Sequence, residues 1–194
     1  MNKVISIPFN KPYVPEKANE YIKEALLSNH QQGGGPFNFR VAEKIKTINC
    51  GGEVFLTSSC TQALEMATIL LDLKPGDEVI MPSYTFTSAA TSLVNFGIIP
   101  VFVDIDPISL NIDPTEVQKA ITPKTKAISV VNYAGVPCKF DELTQIADEF
   151  NLFKIEDNAH SFGAKIDDKS LGFWGDLSTI SFHATKNVQC GEGG

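Results

Sequence analysis

Six short apolar runs punctuate residues 54–182: Val54-Phe55-Leu56-Thr57, Glu78-Val79-Ile80-Met81, Pro100-Val101-Phe102-Val103-Asp104, Ala127-Ile128-Ser129-Val130-Val131, Phe153-Lys154-Ile155-Glu156-Asp157 and Thr179-Ile180-Ser181-Phe182. In the first four the apolar residues are nearly consecutive and do not alternate with polar ones. That is the pattern of strands covered on both faces, as in a parallel sheet packed between helices. Helical stretches fit between most of the runs, at 61–73, 85–96, 114–121 and 140–150, and two more precede them at 16–27 and 38–48. Asp113 before Pro114 predicts an N-cap followed by proline in the first turn. The expected fold is therefore α/β and doubly wound, a mostly parallel sheet with helices on both faces. Residues 1–50 are expected to form an N-terminal arm with helices, in which Gly33-Gly34-Gly35-Pro36 reads as a turn. Residues 51–194 are expected to form one large domain.

Composition narrows the function classes. The 194 residues are 43% apolar and carry a formal charge of −7 without any basic run, which argues against a nucleic-acid or anionic-membrane surface. No stretch approaches the roughly 18 apolar residues of a membrane helix, and the N-terminus does not resemble a signal peptide, so a cytoplasmic protein is expected. Cys50, Cys60, Cys138 and Cys190 form no CxxC or Cys/His ligand pattern. They read as reduced thiols, and no metal site is expected.

Ligands of such sheets sit at the carboxyl ends of the strands, so the residues just past each run are the candidates for chemistry. Thr57-Ser58-Ser59-Cys60-Thr61 enters a helix, where free N–H groups and a hydroxyl from Ser59 or Thr61 could cradle a phosphate; an ordinary N-cap explains the same residues. Phe86 either packs in the core or stacks on a planar ligand. Asp157 ends an apolar strand, where a carboxylate needs a cation or strong donors unless it merely caps the next turn of the chain. His160 alone reads as a structural histidine. Lys186 is either a solvated lysine or, in a partly desolvated pocket, a nucleophilic amine. A phosphate cradle, an aromatic cover, a buried Asp and a lysine at one sheet edge are the four partners that pyridoxal 5'-phosphate (PLP) requires. A nicotinamide-binding domain is disfavoured because no GxGxxG opens the first helix.

At these residues the sequence resembles the nucleotide-sugar aminotransferases of the DegT family, PLP enzymes of the aspartate-aminotransferase fold. The resemblance is carried by Pro8-Phe9-Asn10, Thr57-Ser58-Ser59-Cys60-Thr61, Pro75-Gly76-Asp77-Glu78-Val79-Ile80, Pro82-Ser83-Tyr84-Thr85-Phe86, Val103-Asp104-Ile105, Tyr133-Ala134-Gly135, Glu156-Asp157-Asn158-Ala159-His160, Ser181-Phe182-His183-Ala184-Thr185-Lys186-Asn187 and Gly191-Glu192-Gly193-Gly194. It implies that Lys186 is the Schiff-base lysine, Asp157 the partner of the pyridinium nitrogen and Phe86 the stacking aromatic. His160 would lie near the ring face or phenolic oxygen, with Ser59, Cys60, Thr61 and Ser181 around the phosphate. Lys186 also separates the chain from the family's sugar dehydratases, which carry a histidine there.

Within the family, the Ser-Cys-Thr turn, the helix after it and Pro-Ser-Tyr-Thr-Phe are most similar to members that aminate a dTDP-linked 4-keto-6-deoxy sugar with glutamate as donor, for cell-surface polysaccharide synthesis. The resemblance further implies a homodimer, and a strand and small domain beyond the last glycine. The expectation is therefore an N-terminal part of a transaminase, poorly soluble and inactive by itself. The alternative is a non-catalytic α/β remnant that binds a ligand or a partner subunit.

Overall fold

The computed structural model of the protein describes residues 7–49 and 51–194, so the Cys50 thiol lies outside the described residues. Two helices come first, α1 (Ala18–Leu27) and α2 (Pro36–Ile48), followed by α3 (Cys60–Leu70), β1 (Glu78–Pro82), α4 (Thr87–Val94), β2 (Ile99–Val103), α5 (Pro114–Ala120), β3 (Thr125–Val131), α6 (Phe140–Phe150) and β4 (Phe153–Asn158). A two-residue hairpin, β5 (Lys165–Ile166) and β6 (Lys169–Ser170), leads to β7 (Leu177–Ile180). Among the described residues no helix is long and apolar enough to cross a membrane.

Five strands form one parallel sheet in the order β2-β1-β3-β4-β7. Because side chains alternate across a strand, consecutive core residues feed two different layers. Ile80, Ile128 and Val130 pack with Val117 of α5 and Leu143, Ile146 and Ala147 of α6. Val79, Met81, Ala127 and Ile155 pack with Leu64 of α3 and with Ala89 and Leu93 of α4. The continuous apolar runs of β1 and β3 thus reflect burial on both faces, and the doubly wound reading holds.

Local chemistry sets the helix ends. The Ser59 hydroxyl caps α3 by accepting the Gln62 N–H at 3.2 Å, and Asp113 caps α5 by accepting the Thr115 N–H at 2.8 Å, with Pro114 behind it. Gly35 caps α2 as part of the glycine run; a Cβ there would sit 2.6 Å from the His30 ring, which glycine alone avoids. Arg40 fastens α1 to α2 by lying over the Tyr21 and Phe37 rings while pairing with Glu24 at 2.8 Å.

One expected strand is not a strand. Among the described residues, Thr57 alone of Val54–Thr57 finds a backbone partner: it exchanges hydrogen bonds with Gly194, its N–H donating at 2.8 Å and its carbonyl accepting at 3.1 Å. Apolar composition cannot make a strand without a ladder, since each backbone group needs its own partner. The last strand also lies two residues earlier than its apolar run, and α3 stops at Leu70 because Asp72 turns left-handed (φ 54°).

Candidate active site

A cavity of about 490 Å³ opens at the carboxyl ends of β3, β4 and β7, within the roughly 300–1,000 Å³ range of small-molecule sites. Every candidate named from the sequence lines it: Ser59, Cys60, Thr61, Phe86, Asp157, His160, Ser181 and Lys186. They come from separate segments of chain that the sheet brings to one edge.

The N-terminus of α3 forms one wall. The first amides of a helix have no intrahelical acceptor, and here they come after Ser59, whose own hydroxyl is spent on the Gln62 N–H. The phosphate-cradle and N-cap readings of Ser59 are therefore compatible: the hydroxyl caps, and Cys60 and Thr61, which open the helix, line the cavity. Thr61 donates its hydroxyl to Ser88 at 2.9 Å, tying this wall to α4. Gly194 lies so close to the turn that a Cβ would meet Ser59 and Cys60 backbone atoms at 2.5–2.6 Å. Burial, reinforced by the charge of Asp157, pushes the Cys60 thiol up to about 12, so it is a packed thiol and not a nucleophile.

Asp157, 5% exposed, closes the floor. Its Oδ1 accepts the Ala159 N–H at 2.9 Å, the turn-capping contact anticipated as the plain alternative. One backbone donor does not satisfy a buried carboxylate. Burial raises its proton affinity, against the pull of the Ala159 N–H and the Lys186 charge. Ser181, just past β7, is buried beside it, and its hydroxyl accepts the His183 N–H at 3.4 Å.

Phe86 is 76% exposed, so the core-packing alternative fails. It stands at the N-cap of α4 and presents a bare ring at the cavity edge. Beside it, the buried Thr85 hydroxyl has no hydrogen-bond partner among the described residues, an orphan that a polar ligand group could satisfy.

Opposite lies an aromatic cluster that the sequence did not announce. The Tyr84 and Tyr133 hydroxyls meet at 2.9 Å, and the Tyr133 ring packs edge-on to His160 with centroids 5.3 Å apart. His160 Nδ1 accepts the N–H of Ala134 at 3.4 Å. Ala134 is left-handed (φ 52°), unusual for a residue with a Cβ and characteristic of functional loops. Burial, then the Lys186 charge, lowers the proton affinity of His160. No signal in the sequence joins Tyr84 to Tyr133, which are 49 residues apart.

Lys186 is half-buried on the loop after β7, and its side chain makes no hydrogen bond or ion pair among the described residues. His183 and Glu192 also line the cavity and face each other at 3.5 Å, a pairing without a local signature in the sequence.

A buried carboxylate that accepts one hydrogen bond, a lysine amine without a side-chain partner among the described residues, an exposed ring and a helix N-terminus thus surround a single cavity. Residues 12–194 match the DegT/DnrJ/EryC1/StrS aminotransferase family. The chain belongs to that family.

Among its relatives, an uncharacterized protein of Methanocaldococcus jannaschii is 40% identical over 188 residues, 96% of this chain and 49% of that protein. The GDP-perosamine synthase of Escherichia coli O157:H7 is 35% identical over 97% of this chain and 52% of its own length. The family chain thus spans about half the length of the curated relatives it matches. Among solved structures, DesI in the presence of its TDP-sugar product superposes with a TM-score of 0.89 at 36% identity, covering 94% of this chain and 46% of DesI. Other solved relatives were captured in PLP or PMP form.

Proposed function

We propose that the protein transaminates a nucleotide-linked 4-keto-6-deoxy sugar, dTDP-4-dehydro-6-deoxy-glucose in the first instance, using PLP, with glutamate as amino donor. The observation that carries this reading is the meeting of Asp157 and Lys186 in one cavity bounded by Phe86 and the α3 N-terminus. Sugar specificity rests on resemblance alone. The relatives whose names specify a nucleotide carry GDP in one case and TDP in another. Cytoplasmic location and a homodimer are part of the proposal. The dimer is supported by α1, which buries none of its residues and exposes Tyr21, Ile22, Leu26 and Leu27.

The residues present fit PLP. The α3 amides and Ser181 would hold its phosphate, Phe86 would cover one ring face, and the free oxygen of Asp157 would meet the ring nitrogen. Bound there, the cofactor supplies an electron sink and an aldehyde that exchanges amines.

The chain's own residues do the rest. Asp157, ionised against a cationic ring nitrogen, keeps a proton on that nitrogen; its burial makes the pairing strong because little water competes. Lys186 brings an amine with no hydrogen-bond or ion-pair partner among the described residues, one that would first hold the cofactor and, once displaced, would move a proton between the substrate carbon that bears the amine and the carbon of the cofactor's former aldehyde. His160 is held at Nδ1 by the Ala134 N–H, so its neutral ring bears the proton on Nε2 and serves as a hydrogen-bond donor.

The reading is tested on a protein of its relatives' full length that carries this chain, by supplying PLP, glutamate and dTDP-4-dehydro-6-deoxy-glucose and analysing the sugar nucleotide by mass spectrometry. The expected result is replacement of the keto oxygen by an amine, with 2-oxoglutarate formed in equal amount. Turnover of GDP- or UDP-linked keto sugars with the dTDP sugar untouched would move the specificity, and amination of none of them would reject the function.

A further inference from the structure

The loop from His183 to Cys190 carries Lys186, and backbone bonds close its base. Phe182 N–H donates to Gly193, Ala184 N–H to Gly191 and Cys190 N–H to Phe182, each at 2.9 Å. Inside the loop the Lys186 N–H reaches the His183 carbonyl at 2.9 Å, while the His183 ring meets Thr185 at Nδ1 and faces Glu192 through Nε2. These contacts fix the two ends. The loop is also bonded from outside, by the N-terminal arm.

Asn10 Nδ2 donates to the Ala184 carbonyl at 2.9 Å, two residues before Lys186. Gln189 Nε2 donates to the Tyr13 carbonyl at 2.6 Å, three residues after it. The partners lie 174 and 176 residues apart in the chain. Phe9, Tyr13 and Val14 are exposed, so no core packing explains the position of the arm. Among the described residues these two hydrogen bonds are the only ones that tie residues 7–14 to the rest of the fold.

We propose that Asn10 is a positioning residue for Lys186: with Gln189 it straps the arm across the loop and sets where the lysine amine sits relative to Asp157 and His160. The proposal rests on the reading of Lys186 as the cofactor-binding amine. A carbonyl fixed two residues from the amine-bearing residue limits how far the crest can tilt. Releasing it leaves the ladder at the base intact, so the effect falls on the placement of Lys186 and not on the fold. The charge of Lys186 is felt by Asp157 and His160, which line the same cavity, and a displaced amine is therefore detectable at the histidine as well.

The test compares the protein with its Asn10→Ala, Asn10→Asp and Gln189→Glu variants, the last two being near-isosteres that cannot donate. Reductive methylation is followed residue by residue by peptide mass spectrometry across pH, with exposed Lys169 as internal control, and His160 is titrated by NMR. The expected result is a change of about threefold or more in the Lys186 rate, the scale of one modest hydrogen bond. The titration of His160 should move back toward the ordinary one with it, while the Lys169 rate is unchanged and the thermal midpoint nearly so. An unchanged Lys186 methylation rate, whether or not the midpoint falls, would overturn the proposal. A Lys186 that responds to Asn10 but forms no PLP adduct in the parent protein would leave the strap standing and reject the functional reading instead.

Discussion

Glu156 and Asp157 are consecutive on β4 and face opposite layers, and the difference decides what each can do. Glu156 turns to the α6 side. There its oxygens take the N–H groups of Gly172, Trp174 and Gly175 and the amide of Asn132, at 2.7–3.2 Å. Asp157 turns to the α3 side and receives one N–H, from Ala159. The first carboxylate is saturated by protein and organises the loop before β7. The second accepts no other hydrogen bond among the described residues.

Glu156→Gln should therefore unfold more easily without losing the cofactor site. The amide keeps one acceptor oxygen where four donors converge and sets its own NH₂ against some of them, and each buried group left unpaired costs about 1–3 kcal/mol. Denaturation midpoints should fall accordingly, while cofactor bound per folded molecule stays near that of the parent protein. Loss of cofactor binding in a well-folded variant would assign Glu156 to the site.

Asp157→Asn should do the reverse. Volume and the Ala159 contact are kept, but the charge that would pair with the ring nitrogen goes, and turnover should fall by about 10²–10³, as when a preorganised electrostatic partner is removed. Linkage sets the sign of the stability change. The folded-state proton affinity of Asp157 is raised, so its contribution is most favourable below the unfolded carboxyl range and is lost as pH rises through the folded value. Without cofactor, the Asp157→Asn variant should thus melt higher than the parent protein at pH 7, by about 2–4 °C per kcal/mol recovered. That gain should vanish in acid. A midpoint lowered at pH 7 would contradict the buried, undersatisfied carboxylate.

Phe86→Ala should leave the melting curve nearly unchanged, because the ring is 76% exposed. Affinity for PLP should drop by about 2- to 10-fold, the worth of one stacking contact of about 0.5–1.5 kcal/mol. Equilibrium titration measures it, and Phe86→Tyr should restore most of the loss. Equal affinity in Phe86→Ala would remove the ring from the site.

The parts of this architecture legible in the sequence are those written locally. β1 and β3 show as nearly uninterrupted apolar runs because helices cover both faces. α5 shows through Asp113-Pro114, and Asp157 stands out at the end of its strand, Phe86 and Lys186 on the segments that follow theirs. Features that depend on distant partners are hidden. Val54–Thr57 has the composition of a strand and lacks a ladder. The β5–β6 hairpin turns on Asp167 and Asp168, both left-handed (φ 47° and 63°), without the glycine that usually marks such a turn. The different roles of Glu156 and Asp157 depend on which layer each faces, and the apolar pattern of a strand buried on both sides does not record that parity. The bond from Asn10 to Ala184 joins residues 174 apart.

The central claim is that Lys186 is the amine that takes the cofactor. Incubating the protein with PLP, reducing with borohydride and mapping the labelled peptide tests it most directly. The account predicts one phosphopyridoxyl group, on Lys186, with visible absorbance before reduction and neither in Lys186→Ala. Stoichiometric label on another lysine, or visible absorbance retained in Lys186→Ala, would contradict it.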